Sequence, residues 1–439
     1  MEKKAKVIGA GLAGCEAAWQ LANSGIEVTL YEMKPKKYTP AHHYSGFAEL
    51  VCSNSLKASR LESAAGLLKA EMEILGSVTV SSAKENAVEA GGALAVDREK
   101  FSDSVTAKIK NHPLIKIVEE ELTEIPDGNV IIATGPLTSD ALAESISKIC
   151  GNGLSFFDAA APIVTYESLD KQLVFFASRY GRGDADYINC PMNKEEYTEF
   201  YNALIAAESA ELKEFDKENF RVYEGCMPIE VLAKRGEDTM RFGPLKPVGL
   251  TDPRTGKRPY AVVQLRKENK EGTLYNLVGF QTNLKFAEQK RVFSKITGLQ
   301  NAEFMRYGVM HRNTFINSPK LLNADFSLKS NPKIFFAGQI TGVEGYTESA
   351  ASGILAGINA VLSITGKKPL ILSKLTMLGS LAAYISDESV KDFQPMGANM
   401  GVLPPLDVNI REKAEKYLAL ANRGMVALEQ DIKNMEIDL

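Results

Sequence analysis

Lys6-Val7-Ile8-Gly9-Ala10-Gly11-Leu12-Ala13-Gly14-Cys15 is the stretch that decides the fold of this 439-residue chain. The residues before the first glycine are apolar and β-prone, and they predict a short buried strand. Three glycines follow at the G-x-G-x-x-G spacing. Gly9 permits a tight turn, Gly11 lets a pyrophosphate approach the backbone, and Gly14 lets the next helix pack on the strand. The helix, predicted from Leu12 to Ala22, therefore points its N-terminus at a phosphate group.

A second strand, Glu27 to Tyr31, is predicted next and ends in Glu32. This carboxylate lies 18 residues after Gly14, where it can accept hydrogen bonds from the hydroxyls of an adenosine ribose. Strand, glycine turn, helix and acid together predict dinucleotide binding. The glycines without that context would fit a chance cluster in a βα turn. The motif leaves FAD and a nicotinamide as alternatives.

Two later stretches favour FAD. The run Asn129 to Pro136 is an apolar strand that ends in Ala-Thr-Gly, where small residues around Gly135 let the backbone approach a cofactor. The run Pro332 to Tyr346 predicts a strand, a glycine-rich loop and a small-residue helix from about Ser349 to Leu362. In FAD proteins of the glutathione-reductase type, such a late unit closes the cofactor site, and two distant glycine-rich junctions fit one long cofactor. The predicted cofactor-binding residues of this late unit are Gly338, Gln339, Gly342, Val343, Gly345 and Tyr346.

The composition between these landmarks predicts a second domain. Residues 156–318 mix strand-like runs with charged helical stretches and hold no second dinucleotide fingerprint. We therefore predict an α/β fold, with a Rossmann-like FAD-binding domain of the glutathione-reductase type and an inserted α+β substrate domain. The expected FAD-binding domain comprises residues 1–155 and 326–439, the latter with a helical C-terminal tail, and the insertion comprises residues 156–325.

The overall composition narrows the class of protein. Apolar residues make up 45% of the chain and charged residues 24%, as in ordinary globular proteins. No apolar run reaches the length of a membrane span, and a cleaved leader would remove the glycine motif, so we expect a cytoplasmic protein without a membrane partner. The five cysteines include no C-x-x-C pair and the four histidines are scattered, so we expect neither a metal site nor a disulfide framework.

Charge is unevenly distributed along the chain. The net charge is −4, yet the segment from Lys234 to Arg291 carries +7 and the rest −11. A basic segment on an acidic protein indicates an anionic partner, although a solvated charged surface would explain it equally well. The candidate phosphate-binding residues are Arg235, Arg241, Arg254, Lys257 and Arg258.

These motifs resemble those of one family, the bacterial folate- and FAD-dependent tRNA uracil-C5 methyltransferases, which is related to the tRNA wobble-uridine modifying flavoproteins. The resemblance covers nearly the whole chain and no motif position departs from it. Beyond the first glycine motif, it rests on Leu50-Val51-Cys52-Ser53-Asn54-Ser55-Leu56-Lys57, Tyr223-Glu224-Gly225-Cys226-Met227-Pro228-Ile229-Glu230, His311-Arg312-Asn313-Thr314 and Phe336 to Tyr346.

The resemblance implies a specific reaction. 5,10-Methylenetetrahydrofolate supplies a one-carbon unit to C5 of the T-loop uridine (U54) of tRNA. FADH2, recharged by NADPH or NADH, supplies the electrons that convert the unit to a methyl group, and the product is ribothymidine. The insertion then becomes the tRNA-binding domain. The family also assigns catalysis to cysteines at the positions of Cys52 and Cys226, and it stacks the histidine matching His311 on the folate pterin.

The cysteine positions agree with this chemistry on independent grounds. Uracil C5 becomes nucleophilic only after a thiolate adds to C6, and a thiol with a pKa near ~8.5 needs an electropositive site to ionise. Cys226 lies in a constrained turn just before the basic segment. Cys52 lies in a small, polar stretch within reach of the flavin. A helix start just after Lys57 is compatible with this stretch, and the pattern predicts an amphipathic helix from Ser63 to Leu75. Small buried packing residues are the alternative for both thiols.

Three classes of function remain open at this point. The first is the RNA methyltransferase, acting on tRNA or on ribosomal RNA. The second is a flavin oxidoreductase of a small metabolite, with the insertion as its substrate domain. The third is a non-catalytic FAD-containing scaffold that binds RNA. The three other cysteines, Cys15, Cys150 and Cys190, are expected to be structural.

Overall fold

The structure is a computed structural model that describes residues 3–39, 41–151, 154–159, 161–181, 184–210, 227–308, 310–391 and 393–435. Within these ranges the strands are, in chain order, β1 (Lys4–Ile8), β2 (Glu27–Glu32), β3 (Ser55–Ala58), β4 (Ala87–Val88), β5 (Ala93–Val96), β6 (Ile115–Glu119), β7 (Val130–Ile132), β8 (Leu154–Ala159), β9 (Ile163–Thr165), β10 (Phe175–Phe176), β11 (Tyr187–Met192), β12 (Ala261–Lys267), β13 (Leu274–Leu277), β14 (Phe304–Arg306), β15 (Met310–Phe315), β16 (Ser327–Leu328) and β17 (Asn331–Phe336).

Two helices of the described ranges, Leu12–Asn23 and Tyr346–Thr365, pack on the first sheet. In chain order the helices are α1 (Leu12–Asn23), α2 (Ala64–Ile74), α3 (Val78–Glu85), α4 (Arg98–Lys110), α5 (Asp140–Cys150), α6 (Lys194–Ile205), α7 (Ile229–Ala233), α8 (Thr239–Phe242), α9 (Phe286–Phe293), α10 (Ser318–Leu321), α11 (Tyr346–Thr365), α12 (Met377–Ser386) and α13 (Lys413–Lys433).

The first sheet is the predicted dinucleotide-binding sheet. Its strand order is β16-β17-β7-β1-β2-β6, and all neighbouring strands are parallel except the edge pair β16 and β17. The central strand β7 reads Val-Ile-Ile and is completely buried, as expected for a parallel strand covered on both faces. Because parallel strands end at one edge of the sheet, the turns after β1, β7 and β17 lie side by side.

Small residues bring α1 and α11 into close contact over this sheet. A methyl group placed on Gly353 would lie 2.2 Å from the carbonyl oxygen of Ala13, and one placed on Gly357 would lie 3.0 Å from Cα of Ala17. The two helices therefore cross nearly backbone to backbone. This crossing joins the first glycine motif to the late one, although more than 300 residues separate them along the chain.

The second sheet is antiparallel and has its own core. Its strand order is β10-β11-β12-β13-β9-β14, and α6, α7 and α9 contribute side chains to the same buried cluster. Two smaller sheets complete the described part of the chain, namely β15-β8 and β3-β5-β4. The mixture of strands and helices predicted for residues 156–318 is thus present. The domain boundaries at 155/156 and 325/326 stay predictions.

Two local interpretations differ from the structure. The chain does not enter a helix just after Lys57, because Ser55–Ala58 forms β3, which pairs with β5, and helix α2 begins only at Ala64. Lys57 has a left-handed backbone with φ of 63°, which a right-handed helix does not accept. The late helix begins at Tyr346 instead of Ser349, because Gly345, with φ of 121°, turns the chain directly into it.

Helix α11 is also long and apolar enough to cross a membrane by length and composition. Of its apolar window, 94% is buried inside the protein. The helix is therefore accounted for as a core element of the fold.

Candidate active site

The glycine-rich turns after β1 and β17 line one cleft. The Ala-Thr-Gly turn after β7 lines the same cleft between them. The sequence predicted this convergence from separate motifs, and the parallel sheet brings them together. Ten predicted cofactor-binding residues line the cleft: Gly9, Ala10, Gly11, Leu12, Ala13, Glu32, Gly135, Gly338, Gln339 and Tyr346.

The turn residues leave room for a phosphate group where the motif requires it. A methyl group on Gly9 would lie 2.7 Å from the carbonyl oxygen of Ala133, and Gly9 has φ of +96°, so glycine is needed for the turn itself. By contrast, a methyl group on Gly11 or on Gly135 would meet no protein atom within 4 Å. The space beside these two glycines opens into the cleft, and it fits the diphosphate of a dinucleotide at the N-terminus of α1.

Glu32 lies at the end of β2 with its carboxylate fixed by the backbone. Its Oε2 accepts a hydrogen bond from the N–H of Ala10 at 2.8 Å, and its Oε1 accepts one from the N–H of Lys34 at 2.9 Å. Each carboxylate oxygen keeps further acceptor capacity. The carboxylate thereby joins the first glycine turn to the strand end, and it can still accept hydrogen bonds from ribose hydroxyls in the cleft.

Four predicted cofactor-binding residues do not line the cleft. A methyl group on Gly14 would overlap the carbonyl oxygen of Gly9, so this residue serves the packing of α1 against the turn. Gly342, with φ of +85°, faces the ring of Phe393, and Val343 is buried. Gly345 is the N-cap of α11. These residues shape the loop behind the cleft. That they contact a cofactor directly stays a prediction.

Sequence reasoning missed a wall of the cleft formed by the segment after β2. Thr39 and His42 line the cleft, and their side chains are hydrogen bonded at 2.6 Å. Burial lowers the pKa of His42, which favours a neutral ring. The sequence analysis assigned no site residue to this segment; its position directly after Glu32 was the signal that could have found it. Pro136 to Ser139, directly after Gly135, were missed in the same way.

The loop that carries Cys52 lies between the cleft and the second sheet. Val51 and Tyr346 line the cleft, and the sulfur of Cys52 lies 2.8 Å from the hydroxyl oxygen of Tyr346. Asn54 ties the loop to the second sheet, because its amide donates to the carbonyl of Lys267 at 2.8 Å. Cys52 is only partly buried. The thiol is thus joined to the cleft through its neighbour Val51 and its contact with Tyr346, and its reach to a flavin stays a prediction.

Three arginines from three elements converge on this loop. Arg98 donates to the carbonyl of Leu50 at 2.6 Å, and Arg306 donates to the carbonyl of Val51 at 2.6 Å. Arg266 is 7% exposed and donates to the side chains of Ser53 and Asn54, at 2.8 and 3.0 Å. These arginines were missing from the sequence-based site, since they lie far apart along the chain.

One carboxylate accompanies the three guanidinium groups, so the cluster keeps a positive excess. Glu268 forms an ion pair with Arg98. Burial lowers the pKa of Arg306 to about 10, which leaves the guanidinium protonated at neutral pH. An electropositive, partly enclosed setting is the kind in which a thiolate is stabilised. The arrangement therefore provides the environment that the chemistry predicted for Cys52 requires.

The other described cysteines have different surroundings. Burial raises the pKa of Cys15 well above its usual value, and it raises that of Cys190 to about 12 and that of Cys150 to about 11. Thiols of this kind stay protonated near neutral pH and behave as packing residues. This agrees with the structural role expected for all three.

Two predicted site residues cannot be placed in atomic detail. Cys226 lies outside the described residues, which resume at Met227, shortly before α7. His311 lies on β15, opposite Asp158 of β8, and its side chain is likewise outside the description. Their catalytic and folate-binding roles stay predictions. Within the described part of the chain, no group of three or more His, Cys, Asp or Glu residues could hold a metal ion.

The five basic residues chosen for RNA binding divide into two groups. Arg241 is bound to Asp238 and to the carbonyl of Tyr260, and the guanidinium of Arg254 donates two hydrogen bonds to the carboxylate of Asp252, at 2.8 and 3.0 Å. The remaining three, Arg235, Lys257 and Arg258, are exposed. Lys257 and Arg258 lie together on the loop after Asp252, and the described residues include no ion-pair partner for either.

The sheet, the cleft and the glycine turns define a Rossmann-like flavoprotein of the α/β class. Solved structures agree with this class. The GidA protein of Aquifex aeolicus in its form II crystal matches with a TM-score of 0.68 and 17% identity, covering 98% of this chain and 75% of that one. The form I crystal of the same protein gives 0.68 and 16%. These likenesses confirm the predicted fold.

Sequence comparisons give the family. The model of the family described as glucose inhibited division protein A matches residues 4–368. A protein of Acetivibrio thermocellus is 60% identical over 426 residues, covering 97% of both chains, and one of Ligilactobacillus salivarius is 58% identical over 439 residues, covering 100% of both. Both relatives are named methylenetetrahydrofolate–tRNA-(uracil-5-)-methyltransferase TrmFO. The chain therefore belongs to the glucose inhibited division protein A family, together with the TrmFO enzymes, and the resemblance found in its sequence is confirmed.

Proposed function

We propose that this protein is a folate-dependent RNA methyltransferase that converts the T-loop uridine (U54) of tRNA to ribothymidine. One observation carries the proposal: the Cys52 loop borders a dinucleotide cleft through Val51 and is contacted by three arginines. A flavin cleft alone would suit many oxidoreductases. A thiol in an electropositive setting beside it suits chemistry that joins redox and one-carbon transfer, and the names of the relatives specify that chemistry.

FAD is the proposed cofactor of the cleft. The open space beside Gly11 and Gly135 fits its diphosphate, Glu32 fits its ribose, and the loop from Gly338 to Tyr346 fits the flavin end. Bound FADH2 would supply the hydride that converts a methylene group to a methyl group, and NADPH or NADH would restore it. Each residue contact with FAD is part of the proposal.

The RNA steps are proposed for Cys226. Its thiolate adds to C6 of uracil, the C5–C6 double bond opens, and the electron pair at C5 attacks the methylene carbon of 5,10-methylenetetrahydrofolate. The C5 proton is then lost and the bond between the methylene carbon and the folate nitrogen breaks, so that tetrahydrofolate departs and a methylene group remains on C5. Addition of a hydride to this carbon and departure of the thiolate from C6 give the methyl group and restore the C5–C6 double bond. Overall, uridine, methylenetetrahydrofolate, NAD(P)H and a proton give ribothymidine, tetrahydrofolate and NAD(P)⁺.

Cys52 is proposed to act on the one-carbon unit or on the C5 proton, because its loop lines the cofactor cleft. His311 is proposed to stack on the folate pterin, on the basis of the resemblance. The exposed Lys257 and Arg258, with Arg235, are proposed to bind RNA phosphates. Since tRNA is the proposed substrate, we expect the protein to act in the cytoplasm.

Isotope transfer tests the proposal. The holoenzyme is incubated with unmodified tRNA, NADPH and methylenetetrahydrofolate labelled at its methylene carbon, and the RNA is digested to nucleosides for mass spectrometry. We expect label in ribothymidine, located in the T-loop by fragment analysis. A parallel reaction with ribosomal RNA tests the alternative RNA target, and replacement of NADPH by NADH tests the reductant. Consumption of NADPH with unlabelled RNA would replace the proposal by a small-molecule oxidoreductase.

A further inference from the structure

The hydroxyl of Tyr346 is fixed by three neighbours on the Cys52 loop. Its oxygen lies 2.7 Å from the backbone nitrogen of Cys52, 3.2 Å from that of Ser53 and 2.8 Å from the sulfur of Cys52. Tyr346 is the first residue of α11, and the loop precedes β3, so the contact joins the late glycine-rich unit to the Cys52 loop.

Hydrogen-bond accounting gives the direction of the contact with sulfur. A phenolic oxygen has one proton to donate and two lone pairs to accept with. The N–H groups of Cys52 and Ser53 can only donate, so they occupy the accepting positions. The proton of Tyr346 is then directed at the third neighbour, the sulfur of Cys52.

The phenol is suited to remain a donor. Burial raises the pKa of Tyr346 well above its usual value, and the neighbouring Cys52 acts in the same direction. The hydroxyl therefore keeps its proton over the whole range in which a thiol ionises. Around the sulfur, Arg98 faces the loop from α4, Arg266 from β12 and Arg306 from β14. Glu268, directly after β12, is the carboxylate among them.

We propose that Tyr346 is a positioning residue for Cys52. Its hydroxyl oxygen orders the loop by accepting hydrogen bonds from two backbone N–H groups, and its O–H donates a hydrogen bond to the sulfur, which favours the thiolate. The three arginines supply the positive field, and Tyr346 supplies the directed hydrogen bond. The reactive form of Cys52 thereby depends on a residue of the late glycine-rich unit. The consequence for catalysis rests on the proposed function, whereas the state of the thiol does not.

Alkylation of Cys52 tests the thiolate directly. The holoenzyme reacts with iodoacetamide at a series of values between about pH 6 and about pH 10, where thiols ionise, and the Cys52 peptide is quantified by mass spectrometry. Tyr346→Phe keeps the ring and removes the donor. Since a hydrogen bond to a charged group is worth about tenfold or more in equilibrium, we expect alkylation about tenfold slower near neutral pH, with the midpoint about one pH unit higher.

A second variant keeps the test independent of folding. Replacement of Tyr346 by 3-fluorotyrosine keeps the ring and the hydroxyl and makes the hydroxyl a stronger donor. We expect the alkylation midpoint to move to lower pH, opposite to its movement in Tyr346→Phe. Tyr384→Phe is the matched control, since it removes a hydroxyl that donates to the carbonyl of Gln394, and it should leave the Cys52 profile unchanged.

The outcomes separate this inference from the proposed function. Alkylation profiles that agree between wild type, Tyr346→Phe and the fluorotyrosine variant, or that move in one direction for both substitutions, would overturn the role of Tyr346. If the profiles move as expected while no labelled ribothymidine forms, the proposed function fails and the inference stands. Where methylation is observed, the loss of kcat in Tyr346→Phe should diminish as the pH rises. A loss that is equal at every pH would indicate a purely structural role.

Discussion

A methyl group placed on Gly14 would lie 1.8 Å from the carbonyl oxygen of Gly9, whereas one placed on Gly11 would meet no protein atom within 4 Å. The same motif therefore contains a glycine that the fold needs and a glycine that the ligand needs. The motif alone does not distinguish a glycine needed for folding from one needed for cofactor binding, but the structure does.

Substitutions at these glycines should fail in different ways. Gly11→Asp should fold normally and lose its flavin, because the carboxylate would face the diphosphate. Gly14→Ala should destabilise the protein by about 1–3 kcal/mol, because the turn must move to admit the methyl group. Flavin absorbance of the purified yellow protein and the thermal unfolding midpoint measure the two effects. Full flavin content in Gly11→Asp would contradict the proposed FAD site.

RNA binding should depend on Lys257 and Arg258, for which the described residues include no ion-pair partner, and not on the paired Arg254. The double variant Lys257→Glu and Arg258→Glu should weaken tRNA binding and reduce its dependence on salt, because fewer counterions are released from the phosphates. Arg254→Met is the control, since Arg254 is already bound to Asp252, and it should change the affinity much less. Binding is measured over a salt series. Equal affinity in the double variant would make this loop a solvated surface.

The two proposed catalytic cysteines should differ with RNA that carries 5-fluorouridine at the target. Fluorine blocks the loss of the proton at C5, so the adduct between thiol and C6 should persist. We expect Cys226→Ala to abolish the denaturation-resistant complex, and Cys52→Ala to stop turnover while still allowing the complex. Gel electrophoresis under denaturing conditions measures the adduct. The opposite result would exchange the two roles, and an adduct in both variants would remove both from nucleophilic attack.

The carboxylate of Glu71 should give stability a distinct pH dependence. Glu71 accepts hydrogen bonds from the N–H groups of Met377 and Leu378 at the start of α12, at 2.6 and 2.8 Å, and burial raises its pKa to about 7. The folded state therefore holds this proton more strongly than the unfolded state. Its contribution is fully present below about pH 4.5 and is lost as the pH rises through about 7, by an order of ~3 kcal/mol.

Glu71→Gln removes this titration. The thermal unfolding midpoint of the wild type, minus that of the variant, should decrease as the pH rises from about 4.5 to about 7. Differential scanning fluorimetry over this range measures the difference. A difference that is constant with pH would show that the carboxyl ionises with its ordinary pKa despite its burial.

The fold and the cofactor cleft were readable from the sequence, because local rules govern them. Gly9, Gly14 and Glu32 are spaced by the geometry of one strand, one turn and one helix, and that geometry is the same in any chain. The late turn at Gly338 was found by the same rules. The β-strand at Lys57 was not predicted from the sequence. Its left-handed backbone and its pairing with β5 depend on residues that are distant along the chain, and local rules do not identify them.

The surroundings of Cys52 were decided only by the tertiary structure. Its sulfur meets the hydroxyl of a residue 294 positions away, and Arg98, Arg266 and Arg306 reach its loop from three separate elements. No spacing rule connects these residues, because each belongs to a different strand or helix. The sequence by itself determined the dinucleotide fold and indicated Cys52 and Cys226 as candidate catalytic thiols. The contacts of the second sheet and of α4 with the Cys52 loop decided the electrostatic field around Cys52, because charge acts through space and not along the chain.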